Sequence, residues 1–338
     1  MKKILFLSWS VIILQILCTS CEKQWLGEDR ADDPVTNFEY LWQEANNKYT
    51  YFDYKGVDWD RVYDTVRPRI NAGMSDQELF DVLAEMLFQL KDGHVNLKSP
   101  FDRSRNWSWY LDYPANYDQN IVYRNYLGKE HRRTGPLHNQ VIDSVLYVYY
   151  GSFASTIEPV HVDAIVDRVK GLKGLIIDVR SNGGGSLQNG ITLASALTRE
   201  SFTYARSRVK TGPGAEDYSP WKDMTVHSRD GKKYTGPIIL LCNRHSYSAS
   251  TFFAQMMRTL EHATLMGDQT GGGGGIPAYG ELPNGWIYRF SATQTISPVG
   301  THIEGGVPVD IPVEMDPEDE ADGIDSIFEA ALDILTDR

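Results

Sequence analysis

Two strongly apolar runs in the second half of the chain constrain the fold most, because each leads into a turn and then a helical pattern. "GLIIDVR", which starts at Gly174, is followed by the glycine turn "SNGGGS" and the helical "LQNGITLASALT". "PIILLC", which starts at Pro237, is followed by a serine-rich turn and "TFFAQMMRTL". Upstream, the strand pattern "SVLYVYYGSF" precedes the helical "VHVDAIVDRVKGL". Strands that alternate with helices predict right-handed crossovers and a largely parallel sheet.

The serine-rich turn "NRHSYSAS", Asn243 to Ser250, carries candidate catalytic groups. A turn between a strand and a helix points backbone N–H groups at whatever lies there, and such groups can stabilise an oxyanion. Ser246, Ser248 and Ser250 are therefore candidate nucleophiles, provided that a base takes the hydroxyl proton. In the alternative interpretation Ser248 only caps the following helix, a role that Ser246 fits equally well.

Helical patterns dominate the first third of the chain. Thr36 and Glu39 form a possible capping box, and so do Ser75 and Glu78. The second box precedes the clearest apolar stripe of period 3.6 in the chain, which ends where Gly93 suits a C-terminal cap.

These patterns predict the division of the chain. Residues 35–98 are expected to form a small helical domain, and residues 99–139 a connecting segment. Residues 140–338 are expected to form an α/β core. Within that core, the polar residues 201–235 predict a surface excursion or lid.

The N-terminus has the layout of a lipoprotein signal peptide over residues 1–20. Two lysines precede an apolar run that is too short to span a bilayer comfortably. The run ends in "CTSC", where small residues precede Cys21, although the first position of the usual lipoprotein box holds Cys18 instead of Leu. We expect lipid on Cys21, a polar tether over 21–34, and a protein anchored in the bacterial cell envelope; ordinary secretion is the alternative.

Composition excludes several function classes. The net charge is −12 and no basic stripe occurs, which argues against a nucleic-acid partner. Only Cys242 would remain as a free thiol in a lipidated chain, so no disulfide framework and no metal-site spacing is expected. "GGGGG" lacks the residues that complete a nucleotide-binding P-loop, and no cofactor is expected.

Four segments occur in the order found in the tail-specific, or C-terminal processing, serine proteases, and the chain resembles that family. They are "GLIIDVRSNGGGS", "NRHSYSASTFFAQMM", "MGDQTGGGG" and "GTHIEGGVPVDIPVE". The resemblance covers about 140–315 and includes the tricorn protease core, which belongs to the same group. It implies a crotonase/Clp-protease-like α/β core, a peptide or protein substrate and serine-type endopeptidase activity.

The resemblance also implies roles for particular residues. Ser248 matches the nucleophile, and the amides of Ala249 and of Gly183 or Gly184 would hold the oxyanion. The position of the lysine base in the tail-specific branch is held by Gly273, so the Ser–Lys dyad is absent.

The tricorn-like branch uses a histidine base, and the resemblance places that base at His94 in "LKDGHVNLK". Its glutamate matches Glu304, but the serine that precedes its histidine is replaced by Gly93, which leaves the link from Glu304 to His94 open. An imidazole titrates near neutrality and suits a general base. His302, near Glu304, is the alternative base.

The family often carries a peptide-binding PDZ domain, and too few residues separate "DGHVNL" from "VLYVYY" to form one. The sequence therefore predicts an envelope-anchored serine peptidase. A catalytically silent peptide-binding lipoprotein is the alternative, because the lysine is missing. An acyl-CoA enzyme on the same fold has only fold analogy in its favour.

Overall fold

The computed structural model describes residues 31–105 and 107–337. The expected signal peptide, the proposed lipidation site Cys21 and most of the expected tether lie outside the described residues. No helix within the described part is long and apolar enough to cross a membrane.

The helices give the molecule its outer layers. They are α1 Pro34–Lys48, α2 Phe52–Lys55, α3 Trp59–Val66, α4 Asp76–Phe88, α5 Gln119–Ile121, α6 Pro159–Val169, α7 Leu187–Ala194, α8 Ala249–Arg258, α9 Pro317–Ala321 and α10 Ser326–Thr336.

The strands form three sheets. They are β1 Asn96–Lys98, β2 Arg132–Thr134, β3 Leu137–Ile142, β4 Val145–Tyr149, β5 Gly174–Asp178, β6 Phe202–Val209, β7 Lys222–Val226, β8 Ile238–Cys242, β9 Ala263–Gly267, β10 Pro277–Glu281, β11 Ile287–Ser291, β12 Thr293–Ile296 and β13 Ile311–Pro312.

The central sheet has seven strands in the order β13-β9-β8-β5-β4-β3-β2. Pairing is parallel from β13 to β4, and β3 and β2 add an antiparallel edge. All residues of β4, β5 and β8 are buried, because a parallel sheet is covered on both faces. The largely parallel sheet and the mixed α/β class predicted from the sequence are confirmed.

Alternate residues of the central strands enter two different cores. On one face Leu146, Ile177 and Leu240 pack with α6, α7 and α8. On the other face Tyr147, Ile176 and Ile239 pack with α10. This alternation explains why the strands read as continuous apolar runs, since neither face is left to water.

The N-terminal helical region is present, but its core is shared with a distant part of the chain. Apolar side chains of α1, α3 and α4 pack in one cluster with Trp286, Tyr288 and Phe290. The last two belong to β11, which pairs with β1 and β10 in a separate three-stranded sheet. The helical region is therefore built on a sheet in which β10 and β11 come from the core, and this pairing brings residues near the end of the region towards the turn around Ser248.

Three local predictions have different outcomes. The capping box of Ser75 and Glu78 forms at the start of α4 as predicted. The box expected at Thr36 is wrong, because the carboxylate of Asp33 caps α1 one residue before Pro34. Cys242 is a fully buried free thiol, as predicted for a core residue.

Residues 201–235 are more regular than the expected excursion. They contain β6 and β7, which pair with each other and, through β6, with β12. The segment "WIYRFSATQTI", residues 286–296, has the alternation typical of a single strand, but it divides into β11 and β12, which belong to different sheets.

Candidate active site

The turn from β8 into α8 places Ser248 immediately before the first helical residue. Its backbone has φ 58° and ψ −118°, a region that non-glycine residues rarely adopt. The Ser248 N–H donates to the carbonyl of Gly272 at 2.9 Å, and the Tyr247 N–H donates to that of Asn182 at 3.1 Å. Two neighbouring loops thus hold the turn in this strained form, which is characteristic of functional sites.

The other two serines of the turn have structural hydrogen bonds. Ser246 and Ser250 are fully buried. Their hydroxyls donate to the carbonyls of Val179 and Asn182, both at 2.7 Å. Of the three serines, Ser248 is the one whose side chain lines the large cavity described below.

His94 lies between α4 and β1 and reaches Ser248 across the boundary between the two parts of the chain. Its Nε2 is 2.9 Å from Ser248 Oγ. The His94 N–H donates to Asp92 Oδ1 at 2.8 Å, and Arg289 Nε donates to the His94 carbonyl at 2.8 Å. The backbone on both sides of the imidazole is therefore anchored, which fixes the approach of the ring to the hydroxyl.

The imidazole of His94 is buried, and burial lowers its pKa to about 4. The negative charge of Asp92 raises the pKa, whereas the positive charges of Arg289 and Lys55 lower it further. The ring is therefore neutral at pH 7, so that Nε2 can accept a proton.

A buried charge cluster lies behind His94. Lys55 Nζ is 2.7 Å from Glu304 Oε1 and 4.0 Å from Asp92 Oδ2, and it donates to the Lys91 carbonyl at 2.8 Å. Burial raises the pKa of Glu304 to about 7, and the charge of Asp92 adds to this while Lys55 opposes it. Burial would also raise the pKa of Asp92, but Lys55 and His94 together hold it below its ordinary value.

Glu304 does not contact the imidazole. Its Oε1 is paired with Lys55, and neither its Oε2 nor His94 Nδ1 has a hydrogen-bond partner among the described residues. Asp92 is the carboxylate whose charge acts most strongly on the ring. The direct Glu304–His94 contact, left open by the sequence, is therefore not formed.

The glycine turn after β5 packs directly against Ser248. A Cβ on Gly184 would lie 2.8 Å from Ser248 Cβ and 2.9 Å from the Ala249 nitrogen, and φ at Gly184 is +95°. The Gly184 N–H donates to Asn182 Oδ1 at 3.0 Å. Because that amide is engaged, the expected oxyanion donors are reduced to the amides of Ala249 and Gly183.

Tyr247 fills the space at the two positions where this chain departs from the resembled families. A Cβ on Gly273 would lie 2.5 Å from Tyr247 Cζ, and one on Gly93 would lie 2.8 Å from Tyr247 Oη. The tyrosine ring also packs on His94, with 5.0 Å between ring centroids. A larger residue at either glycine would displace this ring.

A cavity of about 600 Å³ opens at the Ser248–His94 pair. Its walls are rich in aromatic and cationic side chains: Trp107, Trp109, Tyr110, Tyr247, Tyr279, Arg105, Arg244, His245 and Arg289. A cavity of this size accepts a peptide segment of a few residues.

The sequence model of peptidase family S41 matches residues 144–313, half of the chain. The chain belongs to peptidase family S41. The Tricorn protease C1 domain model matches residues 31–88 of this S41 member, the helical region before the core.

Solved structures agree with this membership. A crystal structure of a candidate peptidase from Parabacteroides merdae ATCC 43184 is 42% identical in sequence, with a TM-score of 0.86. The match covers 90% of this chain and 97% of that one. The photosystem II D1 C-terminal processing protease has the same fold, with a TM-score of 0.58 at 14% identity over 88% of this chain and 97% of that one.

Curated relatives match over a shorter stretch. A protein of Staphylococcus haemolyticus (strain JCSC1435) named "Probable CtpA-like serine protease" is 25% identical over 155 residues. That alignment covers 46% of this chain and 28% of the relative. The S41 chain thus matches less than a third of that relative's length.

Two further histidines of this S41 member, His302 and His245, lie in other environments. His302 packs against Tyr54, with 4.9 Å between ring centroids, and His245 packs against Tyr110 at 4.8 Å. Neither ring is hydrogen bonded to Ser248. Within the described ranges, no group of three or more His, Cys, Asp or Glu side chains is arranged to hold a metal ion.

Sequence reasoning missed Lys55 and Asp92. Asp92 carries a signal, because it lies two residues before the candidate base in "KDGH". Lys55 carries none, since a lysine at the end of a four-residue helix is ordinarily exposed.

Proposed function

We propose that this protein is a serine endopeptidase in which Ser248 is the nucleophile and His94 is the general base. The observation that carries the proposal is the 2.9 Å separation of Ser248 Oγ and His94 Nε2 at a strained turn beside a large cavity. A hydroxyl needs such a base, because it is a poor nucleophile while it keeps its proton.

The proposed reaction has two halves. Ser248 Oγ attacks the peptide carbonyl carbon while its proton moves to His94 Nε2, and the amides of Ala249 and Gly183 donate to the developing oxyanion. The imidazolium then gives the proton to the leaving amine, and an acyl-enzyme remains. Water, deprotonated by the same imidazole, hydrolyses the ester and restores Ser248.

In this proposal Asp92 supports the base directly, and Glu304 acts on it indirectly through Lys55. The low pKa of His94 means that forming the imidazolium is costly, and the charge of Asp92 offsets part of that cost. Glu304 is paired with Lys55, and we assign both to the positioning of Asp92 rather than to direct contact with the ring.

A fluorophosphonate probe and a quenched peptide blocked at both ends test the proposal. The wild-type protein should be labelled at Ser248 and should cleave the peptide internally. Ser248→Ala should lose both activities, whereas Ser108→Ala, a change at another serine lining the cavity, should keep both. Labelling of Ser108 or of no residue would refute the assignment; the second result would favour the silent peptide-binding alternative.

We also propose that the protein is anchored in the cell envelope by lipid on Cys21. Support comes from the signal-like run and the small residues before that cysteine. Mass spectrometry of the membrane fraction should find diacylglycerol on an N-terminal Cys21. An unmodified N-terminus at another residue would contradict the proposal.

A further inference from the structure

The cleft beside Ser248 has a charge opposite to that of the molecule as a whole. The chain carries a net charge of −12. Yet the charged residues of the cavity wall are Arg105, Arg244 and Arg289 against one carboxylate, Asp92. The charge of Asp92 is partly balanced by Lys55, which does not line the cavity and whose Nζ is 4.0 Å from Asp92 Oδ2. A cleft of one sign concentrates ligands of the other sign, so this one favours negatively charged ligands.

Arg289 is the cavity arginine that is hydrogen bonded to the backbone of His94. It extends from β11, is half-buried, and uses Nε to donate to the His94 carbonyl. Its guanidinium lies 5.8 Å from the centre of the Tyr279 ring. Among the described residues no carboxylate forms an ion pair with Arg289. A half-buried guanidinium whose outer N–H groups have no hydrogen-bond acceptor within the described residues can bind a carboxylate through two parallel hydrogen bonds.

The other two arginines differ in their availability. Arg244 Nε is paired with Asp268 at 2.8 Å, and its guanidinium lies 4.1 Å from the centre of the Tyr113 ring. Arg105 is exposed and has no ion-pair partner within the described ranges. Arg289 and Arg105 are therefore the cavity arginines left without a carboxylate of the protein.

We propose that Arg289, assisted by Arg105, binds a carboxylate of the substrate, so that the enzyme selects peptides with an acidic group near the bond that is cut. This inference rests on the proposed peptidase function. The carboxylate belongs either to an Asp or Glu side chain or to the end of the peptide chain, since the guanidinium recognises the same group in both.

A set of matched peptides tests the proposal and separates the two sources. The set consists of alanine octapeptides that carry one Glu, Gln or Lys at each position in turn, each made with a free and with an amidated C-terminus. Glu at one position should raise kcat/KM about tenfold to a hundredfold over Gln, the range for a charge-assisted hydrogen bond. If the chain end is the group recognised, the free acid should instead exceed the amide by that factor.

The ratio to follow is kcat/KM for the Glu peptide over that for the Gln peptide, or for the free acid over the amide. Arg289→Gln should reduce this preferred-to-neutral ratio to about one. Its overall rate should also fall because the bond to His94 is weakened, and the ratio is the readout that a purely structural role would not change. Arg105→Gln should reduce the ratio partly. Arg61→Gln removes the same charge from an exposed position on α3 and should leave the ratio unchanged.

Binding of the same peptides to Ser248→Ala, followed by calorimetry, should show the same order of affinities without any turnover. Equal values for Glu, Gln and Lys and for acid and amide, or a preference for Lys, would overturn the inference. Labelling of Ser248 by the fluorophosphonate tests the peptidase proposal and does not test the role of these arginines. Labelling without acidic preference therefore refutes this inference alone, and failure to label refutes the peptidase proposal.

Discussion

The ring of Tyr247 occupies the space into which a side chain at Gly273 would project. A Cβ at position 273 would lie 2.5 Å from Tyr247 Cζ, a separation that real Cβ atoms essentially never show. The resemblance to the tail-specific branch would place its lysine base at position 273, and the ring of Tyr247 leaves no room there for a lysine side chain. The same ring packs on His94, the base that the geometry offers instead.

Gly273→Ala should destabilise the protein more than Gly56→Ala does. Both glycines have positive φ, at +73° and +63°, but an added Cβ at Gly56 meets nothing within 4 Å. Gly56→Ala therefore reports backbone strain alone, about 1 kcal/mol, and Gly273→Ala should add a further ~1–3 kcal/mol for overpacking. Urea denaturation gives both values, and equal losses would show that the ring of Tyr247 moves away freely.

Ser248→Gly should be more stable than Ser248→Ala. The positive φ and the ψ of −118° are strained for any residue with a Cβ, at a cost of about 1–3 kcal/mol, and glycine relieves that strain. Both variants should be inactive. The control is Ser108, where φ is negative, so that Ser108→Gly should be less stable than Ser108→Ala. A Ser248→Gly protein no more stable than Ser248→Ala would mean that the turn is not strained.

Lys55→Met should destabilise the protein by an amount that grows with pH. The pKa of Glu304 is raised to about 7, above the ordinary 4.5, so between these values the folded state holds more protons than the unfolded state. The contribution of Glu304 to the free energy of unfolding is therefore fully present below pH 4.5 and is lost as the pH rises through 7. Without Lys55 the carboxylates are harder to ionise, which enlarges the loss at high pH.

Denaturation at pH 5 and pH 8 measures this effect. The deficit of Lys55→Met should approach 3 kcal/mol at pH 8, the scale for breaking a buried pair, and should be smaller at pH 5. Adding Glu304→Gln should recover part of the stability at pH 8. A deficit that is the same at both pH values would place the role of Lys55 in packing or in its bond to the Lys91 carbonyl.

The sequence predicted the parts of the site that local patterns encode. The turn around Ser248 follows a buried strand, and its glycine partner follows the neighbouring strand, so a parallel sheet must bring them to one edge. The sequence did not predict that β1 pairs with β11, which carries His94 and Arg289 to one place. That pairing joins segments far apart in the chain, and no local periodicity records it. For the same reason Lys55 was missed, since its partners Asp92 and Glu304 lie in two segments that are distant from it in the chain.

Asp92→Asn should reduce peptidase activity more than Glu304→Gln. The asparagine can still accept the His94 N–H through Oδ1, so the substitution removes the charge while that bond is kept. The charge of Asp92 is the main influence that raises the pKa of His94, whereas Glu304 acts on the lysine. We expect a loss of kcat of about tenfold or more for Asp92→Asn. A larger loss for Glu304→Gln would show that Glu304 reaches the imidazole during catalysis.

The rate at which a fluorophosphonate labels Ser248, measured from pH 4 to pH 10, tests most directly whether His94 is the base. Burial lowers the pKa of His94 to about 4, so the ring is still neutral below pH 6.5. The labelling rate should therefore stay high until the pH approaches the pKa of His94. His94→Ala should lower the rate by ~10²–10⁴ and abolish the fall at acid pH, while His302→Ala should label as the wild type does. Wild-type labelling by His94→Ala, or a rate that rises only as a lysine loses its proton, would contradict the account.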